Sequence, residues 1–120
     1  MHLSFTAKEV SYVDALDGDI VQVTLQEESD PEIDYSKKNS PIPPLMKYIL
    51  FSANYEFPPC DITVEWSDGK EWGGGLIENI DLTRTSLNVT LNNELRIDVI
   101  FETDESTFLD MSRFLIGTEV

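Results

Sequence analysis

The chain has 120 residues, 41% of them hydrophobic, which is enough apolar material for one core and places it among single domains rather than disordered chains. Eight Lys and Arg face 23 Asp and Glu, giving a formal charge of −15 at pH 7. The acids are spread over both halves, so the surface field is negative throughout; it repels nucleic acid and anionic membranes and attracts basic partners.

The only cysteine, Cys60, excludes an internal disulfide. No basic segment precedes an apolar run at the start, and no apolar run approaches the ~18 residues of a membrane span. A soluble, cytoplasmic protein is the expectation.

In chain order, His2 to Val13 reads as a strand. Leu3, Phe5 and Ala7 lie on one face, and a shift of phase to Val10 and Tyr12 suggests a bulge. Asp14 to Asp19 is a turn, and Ile20 to Glu27 a second strand with Val21, Val23 and Leu25 inward, the two forming a hairpin. Glu27 to Pro44 is a long proline-containing loop of the kind that is functional or mobile. Leu45 to Asn54 reads as a strand buried on both faces, with a helical turn as the other possibility.

Ile62, Val64 and Trp66 alternate with polar residues, and Asp68-Gly69 marks a hairpin turn. The return strand begins at Lys70 to Trp72, is interrupted by Gly73-Gly74-Gly75 and resumes at Leu76 to Leu82. Ser86 to Leu91 and Leu95 to Glu102 complete an antiparallel meander, with Leu95, Ile97, Val99 and Phe101 on one face. Asp104 is suited to cap a final helix whose stripe is Phe108, Met111, Phe114 and Leu115 and which Gly117 ends. The reading is a single α+β domain spanning residues 1–120. It has a mostly antiparallel curved sheet of about seven strands and one C-terminal helix packed on it.

Residues 61–116 carry a family resemblance. Asp61-Ile-Thr-Val-Glu-Trp66, the turn Ser67-Asp-Gly-Lys70, the step Trp72-Gly-Gly-Gly75, Leu76-Ile-Glu-Asn-Ile-Asp-Leu82, two further strands and a short helix follow one another. This order resembles the Immunity protein 10 family of bacterial polymorphic-toxin systems. The resemblance implies a small cytoplasmic protein that binds a cognate toxin domain and blocks it, with no catalytic residues to carry over. An acidic secretion chaperone and a small ligand-binding module are the alternatives.

No residue pattern points to catalysis, so the protein is expected not to be an enzyme. A nucleophilic triad would have to use His2, the only histidine, and Cys60 has no cationic neighbour to activate it. Asp14, Asp17 and Asp19 around Gly18 do not match a calcium loop, and zinc would find one His and one Cys; neither metal nor cofactor is expected. The three glycines lack the Lys and Ser/Thr of a phosphate loop, and Asn88-Val89-Thr90, a glycosylation triplet, falls in a strand.

Two features suit a protein partner. Asp30, Glu32, Asp34 and Tyr35 lie in the long loop, where an aromatic offers buried area and acids steer encounter. Trp66 and Trp72 flank the Asp68-Gly69 turn and would face each other across the hairpin. The expected partner is a cognate protein toxin, basic and nuclease-like if charge decides, bound by a monomer or a homodimer.

Overall fold

The computed structural model describes residues 2–15, 20–28, 46–54 and 62–116. The chain forms an α+β fold: one eight-stranded, mostly antiparallel sheet with a C-terminal helix packed on it. The strands are β1 (His2–Ala7), β2 (Glu9–Ala15), β3 (Ile20–Gln26), β4 (Lys47–Asn54), β5 (Thr63–Asp68), β6 (Trp72–Leu82), β7 (Ser86–Leu91) and β8 (Arg96–Phe101), followed by α1 (Glu105–Ile116).

The strand order is β1-β8-β7-β6-β5-β4-β3-β2. From β2 through β8, consecutive strands pair antiparallel. β1 joins the far end by lying parallel to β8 in the register Leu3↔Ile97 and Phe5↔Val99. The strands at the two ends of the order are thus consecutive in sequence, separated only by Lys8, and the sheet must curl until those ends meet at one residue.

This explains the phase shift at the start of the chain. Instead of a bulge within one strand, Lys8 is a corner at which the chain leaves β8 and joins β3, its N–H donating to the Gln26 carbonyl at 3.0 Å. A residue spent on a corner reverses the inside–outside phase, so Leu3, Phe5 and Ala7 before it and Val10 and Tyr12 after it all reach the core. β6 makes the second corner: Trp72–Leu76 pair with β5, Ile77–Leu82 pair with β7, and the register shifts between Ile77 and Asn79.

Both corners feed a single core. Val23, Leu25, Ile49, Phe51 and Val64 come from one half of the sheet, Leu87, Val89, Ile97, Val99 and Phe101 from the other, and Phe108, Met111 and Leu115 from α1. β4 is a strand, but it alternates rather than being buried on both faces: Ile49, Phe51 and Ala53 are buried while their neighbours are partly exposed or exposed. β6 runs through the three glycines without interruption. Among the described residues the strands number eight rather than about seven because the first run divides at Lys8.

Asp104 caps α1: its carboxylate accepts the Thr107 N–H at 3.0 Å and the Thr107 hydroxyl at 2.7 Å, which holds its pKa below the usual 3.8. Phe108 stacks on Phe101 with ring centroids 6.4 Å apart, and the Arg84 guanidinium covers its ring at 4.8 Å. These contacts fix the helix to the end of β8. Gly117 lies outside the described residues, and no helix among them is long and apolar enough to cross a membrane.

Candidate functional site

Paired residues in a sheet share a face, so the register sorts the side chains of the face turned from the core into rows, in which Gln26 and Ser67 are nonetheless buried. On the half formed by β2 to β6, one row is Glu9, Gln26, Tyr48, Ser67 and Trp72. The next is Ser11, Thr24, Leu50, Glu65 and Gly74, and the third is Val13, Gln22, Ser52, Thr63 and Leu76. Among the described residues the exposed large apolar side chains of this face are Trp72 at 74%, Val13 at 55% and Leu76 at 46%.

The two tryptophans do not face each other. Trp72 is paired with Ser67 and Trp66 with Gly73, so adjacent positions of the ladder send the two indoles to opposite faces. Trp66 points inward and is 7% exposed. Its ring lies over Gly73: a Cβ there would sit 2.9 Å from Cζ2 and 3.3 Å from Nε1. The glycine is therefore a packing requirement of the indole. Gly74 faces the other way, and a Cβ on it would meet the Val64 carbonyl oxygen at 2.9 Å.

The hairpin tip that presents Trp72 is tightly held. Gly69 adopts φ +92°, and the Asp68 carboxylate accepts the N–H groups of Lys70 at 2.8 Å and Glu71 at 2.7 Å. Those two bonds hold the Asp68 pKa below its usual value. The Gly69 N–H donates to the Ser67 hydroxyl at 3.1 Å. Nearby, the Tyr48 hydroxyl donates to Glu65 at 3.1 Å; burial first, then this bond and the carboxylate charge, raise the tyrosine pKa above 10.0. Trp72 thus begins β6 directly after this hydrogen-bonded turn, which carries Asp68, Lys70 and Glu71.

The other half of the sheet has a different outer face. Asp98 accepts from Arg96 Nε at 3.4 Å and pairs with His2 Nε2, and Asn88, with its amide nitrogen turned inward to the carboxylate, donates at 2.6 Å. Ser4, Asn79, Asp81 and Thr90 surround this cluster. His2 is therefore engaged in holding β1 to β8. Near one end of that face lies an open depression of about 560 Å³, with Thr6, Lys8, Thr85, Ile100 and Glu102 among its walls.

Asp30, Glu32, Asp34 and Tyr35 lie outside the described residues, as do Cys60, Asp17 and Asp19. Among the described residues no group of three His, Cys, Asp or Glu side chains could hold a metal ion. Sequence reasoning did not single out Leu76, Val13 or Glu65. The period-two pattern places Leu76 and Trp72 on one face, but which face is outside follows only once Trp66 is known to be buried against Gly73. Neither a family model, nor a curated protein, nor a solved structure matches the chain.

Proposed function

We propose that this protein is an immunity protein: it binds a cognate toxin domain in the cytoplasm and neutralises it by covering its active or substrate-binding surface. The observation that carries the reading is Trp72, 74% exposed on a strand of a well-packed sheet and held there by a hydrogen-bonded turn rich in acids. Water-exposed tryptophan on a rigid support is characteristic of binding anchors, because burying it on a partner yields a large area at little cost in chain entropy. The resemblance of residues 61–116 to the Immunity protein 10 family supplies the class of partner, and the −15 charge supplies its sign. A basic toxin domain, such as one that grips nucleic acid, is steered to this surface over a distance set by ionic strength.

The protein acts stoichiometrically in this reading, with no bond made or broken. The test is to express the C-terminal domain encoded by the neighbouring reading frame, alone and together with this chain. A one-to-one complex, with the toxin domain lethal alone and harmless in company, supports immunity. A toxin domain that remains lethal in company, or no complex, sends the reading to its alternatives. Of these, the ligand-binding module has an observation of its own, the open depression beside Lys8 and Ile100.

A further inference from the structure

Among the described residues β6 is paired on one side only along its first half: Trp72–Leu76 face β5, and pairing with β7 begins at Ile77. The direction of each main-chain group follows from its neighbours. The Glu71 carbonyl accepts from Asp68 and so points toward β5, whereas Leu76 exchanges bonds with Asn92 on the other side: the Asn92 N–H donates to its carbonyl at 3.0 Å, and its own N–H donates to Asn92 Oδ1 at 3.2 Å. Alternation along an antiparallel strand then directs the N–H and C=O groups of Trp72 and Gly74 away from β5, into the open edge.

Such edges are ordinarily blunted by lysine, proline or a covering segment. Trp72–Leu76 contains neither residue type, and Gly74 is exposed. On either side of this bare glycine stand Trp72 and Leu76, with Glu71 and Glu78 exposed just beyond them. Beneath the same segment the buried Trp66 Nε1 has no acceptor among the described residues. An unmatched buried N–H is costly, and it lies against Gly73, where a polar side chain pointing inward from an added strand would meet it.

We propose that the Trp72–Gly75 edge of β6 is a strand-addition site, and that its occupant is an extended, basic segment of the partner protein. Two residues of β6 offer four main-chain groups to that segment, its outward side chains lie over Gly74 between Trp72 and Leu76, and its cations meet Glu71 and Glu78. This rests on the partner-binding reading above and specifies how that binding is made.

The probe is a seven-residue peptide alternating lysine with valine and threonine, compared with the same peptide N-methylated on alternate backbone nitrogens. Amide exchange followed by NMR is expected to slow by about tenfold or more at Trp72 and Gly74 on adding the first peptide, and the methylated peptide is expected to bind about tenfold more weakly. Equal binding of the two peptides, no binding by either, or protection elsewhere only overturns the strand-addition site. In the toxin complex, Trp72→Pro, which removes the edge N–H as well as the indole, is compared with Trp72→Ala after both are shown to melt like the wild type. Equal affinity of the two for a toxin that is neutralised overturns strand addition and leaves immunity standing. A peptide that protects Trp72 and Gly74 while no toxin binds has the opposite meaning.

Discussion

The two outer faces of the sheet are built on the same curl, and both close polar groups on themselves, but they differ in the apolar side chains they expose. The β1, β8, β7 face ties its charges to one another: Asp98 alone gathers His2, Arg96 and Asn88. Ile100, 62% exposed, is the one large apolar residue facing water there among the described residues, and a single such residue is ordinary. The β2 to β6 face has Trp72, Leu76 and Val13 exposed, and an acidic turn beneath the tryptophan. Hydrogen bonds that close on the protein itself gain nothing from a partner. An exposed indole and leucine do, and this difference is what places the proposed contact on the β2 to β6 side.

The contrast between inside and outside can be broken most forcefully by truncation. Ile97→Ala, in the fully buried centre of β8, is expected to cost about 2–5 kcal/mol in a denaturant titration. Leu76→Ser on the outer face should change stability by no more than about 0.5 kcal/mol. A large loss from Leu76→Ser would mean that this residue is packed rather than presented.

Gly73→Ala comes next. Its methyl group would press on the Trp66 ring, so a loss of about 1–3 kcal/mol is expected, with a change in tryptophan emission; an unchanged emission spectrum would show that the indole does not depend on the glycine. On the polar face, Asp98→Ala should cost at most about 1 kcal/mol, because its ion pairs are partly solvated, and should leave partner binding alone. Glu94 occupies a left-handed conformation at φ 69°, so Glu94→Gly is expected to raise stability by up to about 1 kcal/mol in the same titration.

Acid affects both regions in one direction. Asp68 and Asp104 have folded pKa values below 3.8 because N–H and hydroxyl donors favour the carboxylate. Their contribution is complete above about pH 4 and is lost as pH falls through the lowered folded values. At the alkaline end, Tyr48 is held neutral in the folded protein, so its contribution is complete below pH 10 and falls away above it. Unfolding followed from pH 2 to 11 checks both limits; a loss of stability between pH 5 and 9 would require other groups.

Much of this architecture was legible in the sequence. The alternation of Leu95, Ile97, Val99 and Phe101, the Asp68-Gly69 turn and the Asp104 cap each have a local physical cause, and each is in place. The parallel pairing of β1 with β8 was not legible, since nothing local in Leu3 or Phe5 indicates a partner more than ninety residues away. The shift of phase at Lys8 was visible, but a bulge and a corner leave the same mark in a pattern of alternation. The candidate site was half legible. Trp72 was noticed for its type, yet its separation from Trp66 depends on a register set by turn length, and the open edge of β6 depends on where β7 begins to pair.

The central claim is that the β2 to β6 face receives a basic protein partner through Trp72. It is tested most directly by titrating the toxin domain of the neighbouring reading frame with the wild-type chain, Trp72→Ala and Thr90→Ala, at two salt concentrations. The account predicts a Kd about 30-fold weaker for Trp72→Ala, no change beyond about twofold for Thr90→Ala, and weaker binding in high salt throughout. Equal affinities for Trp72→Ala and the wild type, or a loss confined to Thr90→Ala, would contradict it.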